Sequence, residues 1–135
     1  MFLDFFVDGK ALRTWIQEWE DADRQPDETS LLTPARPEWA VQQIDRLLGR
    51  IPHQHWNRAW LLFCSACWTE DCGGVTADLR KEKGLVHWSG IGWDDSLTDE
   101  TYRIETALDF VFDAQQYEQT LLDARARFTR RKRSG

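Results

Sequence analysis

Residues 58–64, Arg-Ala-Trp-Leu-Leu-Phe-Cys, form a continuous apolar run of strand length. Such a run, with no polar face, reads as a strand buried at the centre of a sheet. It leads directly into Cys64-Ser-Ala-Cys67-Trp-Thr-Glu-Asp-Cys72-Gly73-Gly74, which places all three cysteines within nine residues. Any fold for this chain must bury the run and turn sharply after it.

The flanking elements follow from periodicity. Phe2 to Val7 reads as a strand and Asp8-Gly9 as a turn. Leu12, Trp15, Ile16 and Trp19 recur at helical spacing, so residues 10–20 form an amphipathic helix. Residues 21–36 are polar, with two prolines, and read as a loop with exposed acids. Pro37 opens a second helix, lined by Val41, Ile44 and Leu48 and ended by Gly49. Residues 74–89 read as a β-hairpin around Lys83-Gly84, with Val75, Ala77 and Leu79 on one face. Gly90 begins a second acidic connection. Leu108 to Phe112 is a last strand, after which Asp113, paired with Gln116, caps a helix striped by Tyr117, Leu121, Ala124 and Phe128. The expected architecture is α+β: a mostly antiparallel sheet of about four or five strands packed by about three helices. At 135 residues the chain suits a single domain over 1–128, followed by a basic tail over 129–135.

Eight tryptophans exceed what so small a core can centre, so some are expected at its margin with the indole N–H at the surface. Charge is also uneven. Six of the 17 basic residues follow residue 123 and none of the 23 acids does, so residues 1–123 carry a formal −12 and residues 124–135 carry +6. An acidic body repels nucleic acid and attracts basic proteins. The tail suits a solvated helix C-terminus, whose dipole favours cations. The N-terminus lacks a signal-peptide pattern and no stretch approaches the length of a membrane span. With closely spaced cysteines in odd number, this reads as a cytoplasmic protein with reduced thiols.

Three readings compete for the cysteines. Cys64, Cys67 and Cys72 with His87 would complete a four-ligand zinc site, and His53 or His55 are alternative fourth ligands. A C-x-x-C pair also suits a thiol oxidoreductase, but Glu70 and Asp71 nearby disfavour the thiolate. The third reading is structural, with the cysteines shaping a turn between strand and hairpin. No phosphate-cradling, dinucleotide-binding or nucleophile-elbow motif is present in the sequence.

Several segments together resemble a group of small uncharacterised bacterial proteins. They are Val7-Asp-Gly-Lys-Ala-Leu12, Leu62-Phe-Cys-Ser-Ala-Cys67, Asp71-Cys72-Gly-Gly-Val-Thr76, Val86-His-Trp-Ser89 and Phe112-Asp113 with Tyr117-Glu118. The resemblance covers most of the chain. Some members of that group bear an oxidoreductase label, for which this chain shows no cofactor motif.

The function expected from these features is non-enzymatic binding of a basic protein. An immunity protein that neutralises a cognate toxin is its most concrete form. The expected contact residues are the acids of the two polar connections, Asp21, Asp23, Asp27 and Glu28, then Asp94, Asp95, Asp99 and Glu100, with Trp93 as aromatic anchor. The plainer alternative is that these acids only keep the protein soluble.

Overall fold

A computed structural model describes residues 3–51, 58–64, 73–95 and 100–129, except for the side chains of Asp95, Glu100 and Thr101. A two-stranded ribbon, β1 (Phe6–Val7) and β2 (Lys10–Ala11), turns at Asp8-Gly9, both at positive φ. Helix α1 (Leu12–Trp19) follows, and after a long loop comes α2 (Pro37–Leu47). The main sheet comprises β3 (Ala59–Phe63), β4 (Gly74–Glu82), β5 (Leu85–Asp95), β6 (Glu100–Arg103) and β7 (Phe110–Asp113). Helix α3 (Ala114–Thr129) closes the described chain. All pairings are antiparallel, in the order β3-β4-β5-β6, and β7 also pairs with β5. The α+β architecture is therefore the expected one.

Strand β5 is longer than the sequence suggests. It runs through Asp95 rather than ending at Ser89, so Gly90–Asp95 is strand, not connection. It carries β7 on its first half and β6 on its second, along the same edge. The strand reading for Phe2 to Val7 shrinks to Phe6–Val7 among the described residues.

The apolar run of β3 is buried throughout, but the strand lies at the end of the sheet order, not at its centre. Gln43 of α2 explains how a marginal strand stays dry. The register shifts between Trp60 and Leu62, and Gln43 Nε2 donates to both Trp60 O (3.0 Å) and Leu61 O (3.1 Å). Its Oε1 accepts from Leu31 N at 2.7 Å. One buried amide thus satisfies the carbonyls a bulge leaves exposed. Thr29 exchanges two backbone bonds with Phe63, sealing the rest of that edge. Leu31 and Trp39 cover Trp60 and Phe63 on the far face.

The main core lies between the sheet and the helices, with Leu12, Ile16, Ile44, Leu47, Leu61, Val75, Val86, Trp88 and Ile91. Arg125 of α3 binds Asp45 of α2 at 2.9 Å, so one of the cations expected in a solvated helix end instead ties two helices together. Inside, Trp88 Nε1 donates to Tyr117 Oη at 3.2 Å, and Tyr117 donates to Leu47 O at 3.1 Å. Burial holds the Tyr117 hydroxyl protonated far beyond its ordinary range, although the bond from Trp88 favours the ionised form. The unfolded chain loses this proton near pH 10 while the folded one keeps it. The contribution is therefore complete below about pH 10 and declines above it. Tyr117→Phe is expected to cost about 1–2 kcal/mol at neutral pH, because Leu47 O and the Trp88 N–H lose their partner. Above pH 10 the variant's stability is expected to fall less steeply than the wild type's. Urea titrations from pH 7 to 11 check this, and parallel curves would contradict it.

Candidate functional site

Among the described residues, the acids expected at the surface are not all exposed. Asp21, at positive φ just after α1, Asp23 and Asp27 are exposed, and Glu28 is half-buried. Trp93 lies half-buried against the core and donates its Nε1 to Glu20 Oε2 at 2.7 Å, so it braces α1 against β5. Thr106 Oγ1 donates to Trp19 O at 2.7 Å and reinforces the same junction. Asp94 is the clearest correction. Being the next residue on β5, it points to the opposite face from Trp93 and is only 4% exposed. Its carboxylate acts on the buried Arg58 guanidinium, not on a surface partner. Asp95 and Glu100 are register partners whose side chains are not described, and Asp99 lies outside the described residues.

The zinc reading with His87 as fourth ligand also needs correction. Phe63, next to the half-buried Cys64, pairs with Gly74, whereas His87 pairs with Arg80, six residues further along β4. At about 3.3 Å per residue, that places His87 roughly 20 Å from Cys64. Cys67, Cys72, His53 and His55 lie outside the described residues. Among the described residues no three of His, Cys, Asp and Glu gather as a metal group.

A different site emerges between the N-terminal segment and β7. A groove of about 670 Å³ is lined by residues 3–8, by Asp109–Asp113 and by residues of α3. Its floor is apolar, including Leu3, Phe5, Trp88, Phe112, Tyr117 and Leu121. The edge-on contact of Phe5 with Trp88 (5.8 Å) and of Phe112 with Trp88 (5.1 Å) fixes that floor. Phe6, 67% exposed, and Val111, 53% exposed, also line it.

Among the described residues, four carboxylates line this groove, those of Asp4, Asp8, Asp109 and Asp113, with one cation, Arg127. Asp8 belongs to the Asp8-Gly9 turn. Asp113 accepts from Gln116 N at 2.9 Å, the helix cap expected from sequence. Asp4 Oδ1 is shielded from solvent and accepts no hydrogen bond. Lys10 is occupied elsewhere, with Glu18 at 2.7 Å and over the Trp15 ring at 4.0 Å. The sequence carries a signal for this site: Asp4-Phe-Phe-Val-Asp8 and Asp109-Phe-Val-Phe-Asp113 are both apolar triplets bracketed by aspartates. The fold brings both to the lining of one groove. Among the described residues, no helix is long and apolar enough to cross a membrane. Comparison with family models, with curated proteins and with solved structures gave no match, so the groove's own chemistry has to carry the functional reading.

Proposed function

We propose that this chain acts by binding a basic protein, and that an immunity protein holding a cognate toxin is the concrete form of that activity. The observation that carries the reading is the groove, with its apolar lining and, among the described residues, four carboxylates to one arginine. Apolar contacts give a partner's side chains a place to bury, and uncompensated negative charge selects cationic ones and speeds their approach. Exposed acids at Asp21, Asp23 and Asp27 extend the same field over the surface.

Asp109→Asn combined with Asp113→Asn tests the reading. Asparagine caps a helix about as well as aspartate, so α3 keeps its start. A pull-down from the native host at low salt is expected to recover a basic protein. The double variant is expected to bind that purified protein about tenfold more weakly, with a shallower dependence on salt. Unchanged affinity, or a partner without basic character, would remove the proposal.

A further inference from the structure

The groove presents more than charge, because β7, whose residues line it, has an edge that no described strand occupies. Ala114 N donates to Gly84 O at 2.9 Å. In an antiparallel ladder, bonded pairs alternate with non-bonded ones, so Val86 with Phe112 and Trp88 with Phe110 are the bonded pairs of β7. Val111 and Asp113 therefore turn their N–H and C=O groups away from β5. Among the described residues β7 pairs with β5 alone, so no strand occupies this second edge. Val111 and Asp113 both line the groove.

We infer that the groove takes an extended basic segment of the partner, which adds a strand to the free edge of β7. This rests on the reading of the chain as a binder of basic proteins and specifies its mode. Strand addition draws affinity from main-chain bonds and specificity from alternate side chains. Alternation here fixes what those side chains are. Residues opposite Phe110 and Phe112 share their inward face and meet the apolar floor. Residues opposite Asp109 and Asp113 share the outward face, where opposite charges pair across strands. The complement of Asp109-Phe-Val-Phe-Asp113 is thus a cationic residue, an apolar one, any strand former, an apolar one and a cationic one. A helix would present neither the main-chain groups nor this period of two. Charge also argues against two copies meeting groove to groove, since aspartates from both segments would face their like.

The probe is the peptide acetyl-Lys-Val-Thr-Val-Lys-amide, with three comparators: the same peptide N-methylated at its three central residues, a Lys-Lys-Val-Val-Thr isomer, and an Asp-Val-Thr-Val-Asp analogue. The alternating peptide is expected to bind, measured by calorimetry, and to slow amide exchange at Val111 and Asp113. The methylated, isomeric and acidic peptides are each expected to bind at least tenfold more weakly. Val111→Pro, which deletes only an N–H that β5 does not use, is expected to weaken binding by a similar factor while leaving the circular dichroism unchanged. Equal affinity for the methylated or isomeric peptide, or binding without protection of Val111, would overturn strand addition but leave acid-driven binding standing. No binding of the alternating peptide at millimolar concentration would also overturn it. Self-association that protects Val111 in the protein alone would assign the edge to a second copy, against the inference. The broader reading fails separately, if the double asparagine variant binds its natural partner unchanged.

Discussion

Gly74→Ala is expected to destabilise the fold by about 3 kcal/mol or more, and Gly92→Ala by about 1–2 kcal/mol. Both glycines lie where strands approach too closely for a side chain. A Cβ on Gly74 would sit 2.2 Å from Leu62 O and 3.3 Å from the Trp60 ring. A Cβ on Gly92 would sit 2.4 Å from Tyr102 O and 2.6 Å from Arg103 Cα. Since the obstacle is backbone in each case, a strand must move rather than a side chain. The difference lies in which strand can. Strand β3 is buried throughout and held by two hydrogen bonds from Gln43, so it has no room to retreat. Strand β6 is four residues long, at the end of the sheet order, with Tyr102 and Arg103 exposed. It is expected to peel away, which limits the cost. Chemical denaturation gives the two energies, and amide exchange at Tyr102 and Arg103 reports the detachment. A milder effect at Gly74 than at Gly92 would refute this account of the strand packing.

These glycines also show where the sequence was readable and where it was not. Local signals with a single physical meaning held. Lys83 and Gly84 both take positive φ, as a two-residue hairpin turn requires, and Pro37 opens α2. Asp113 caps α3. Gly90 and Gly92 misled because glycine is both a breaker and a spacer. Here Gly90, at φ 58, sits where the β4–β5 register shifts, and Gly92 admits β6. The strand therefore passes through both. The position of β3 was hidden for another reason: a polar residue on α2, Gln43, does the work of a neighbouring strand, and no local pattern reveals that. At the candidate site the acids of the long connections drew attention by number, while alternation along β5 buries Asp94. The aspartate-bracketed triplets were visible as sequence, but their juxtaposition depends on β7 docking on β5 and on the N-terminal ribbon folding back across Trp88.

Arg58→Met is expected to cost about 3 kcal/mol, although Arg58 does not line the groove. Arg58 is 4% exposed and is held on three sides. Its Nε donates to Thr76 Oγ1 at 2.8 Å, one terminal nitrogen to Asp78 Oδ1 at 2.9 Å and the other to Gly90 O at 2.7 Å. Burial lowers its pKa, while the carboxylates of Asp78 and Asp94 oppose that shift and Arg103 adds to it. The guanidinium stays charged throughout, because its ordinary value is so high. Methionine fills much of the same volume but leaves Thr76, which is fully buried, and the Gly90 carbonyl without their donor. Asp78 is half-exposed and keeps Arg103 at 3.4 Å, so Asp78→Asn is expected to cost only about 1 kcal/mol. Arg58→Lys is expected to recover little, since one ammonium cannot reach three acceptors arrayed around a planar fork. Because Gly90 marks the β4–β5 register shift, the arginine also fixes the register on which β6 and β7 both depend. Arg58→Met should therefore weaken partner binding only in proportion to the folded fraction, and urea midpoints measured beside affinity separate the two effects. A variant within 0.5 kcal/mol of the wild type would show that the sheet holds its register without this arginine.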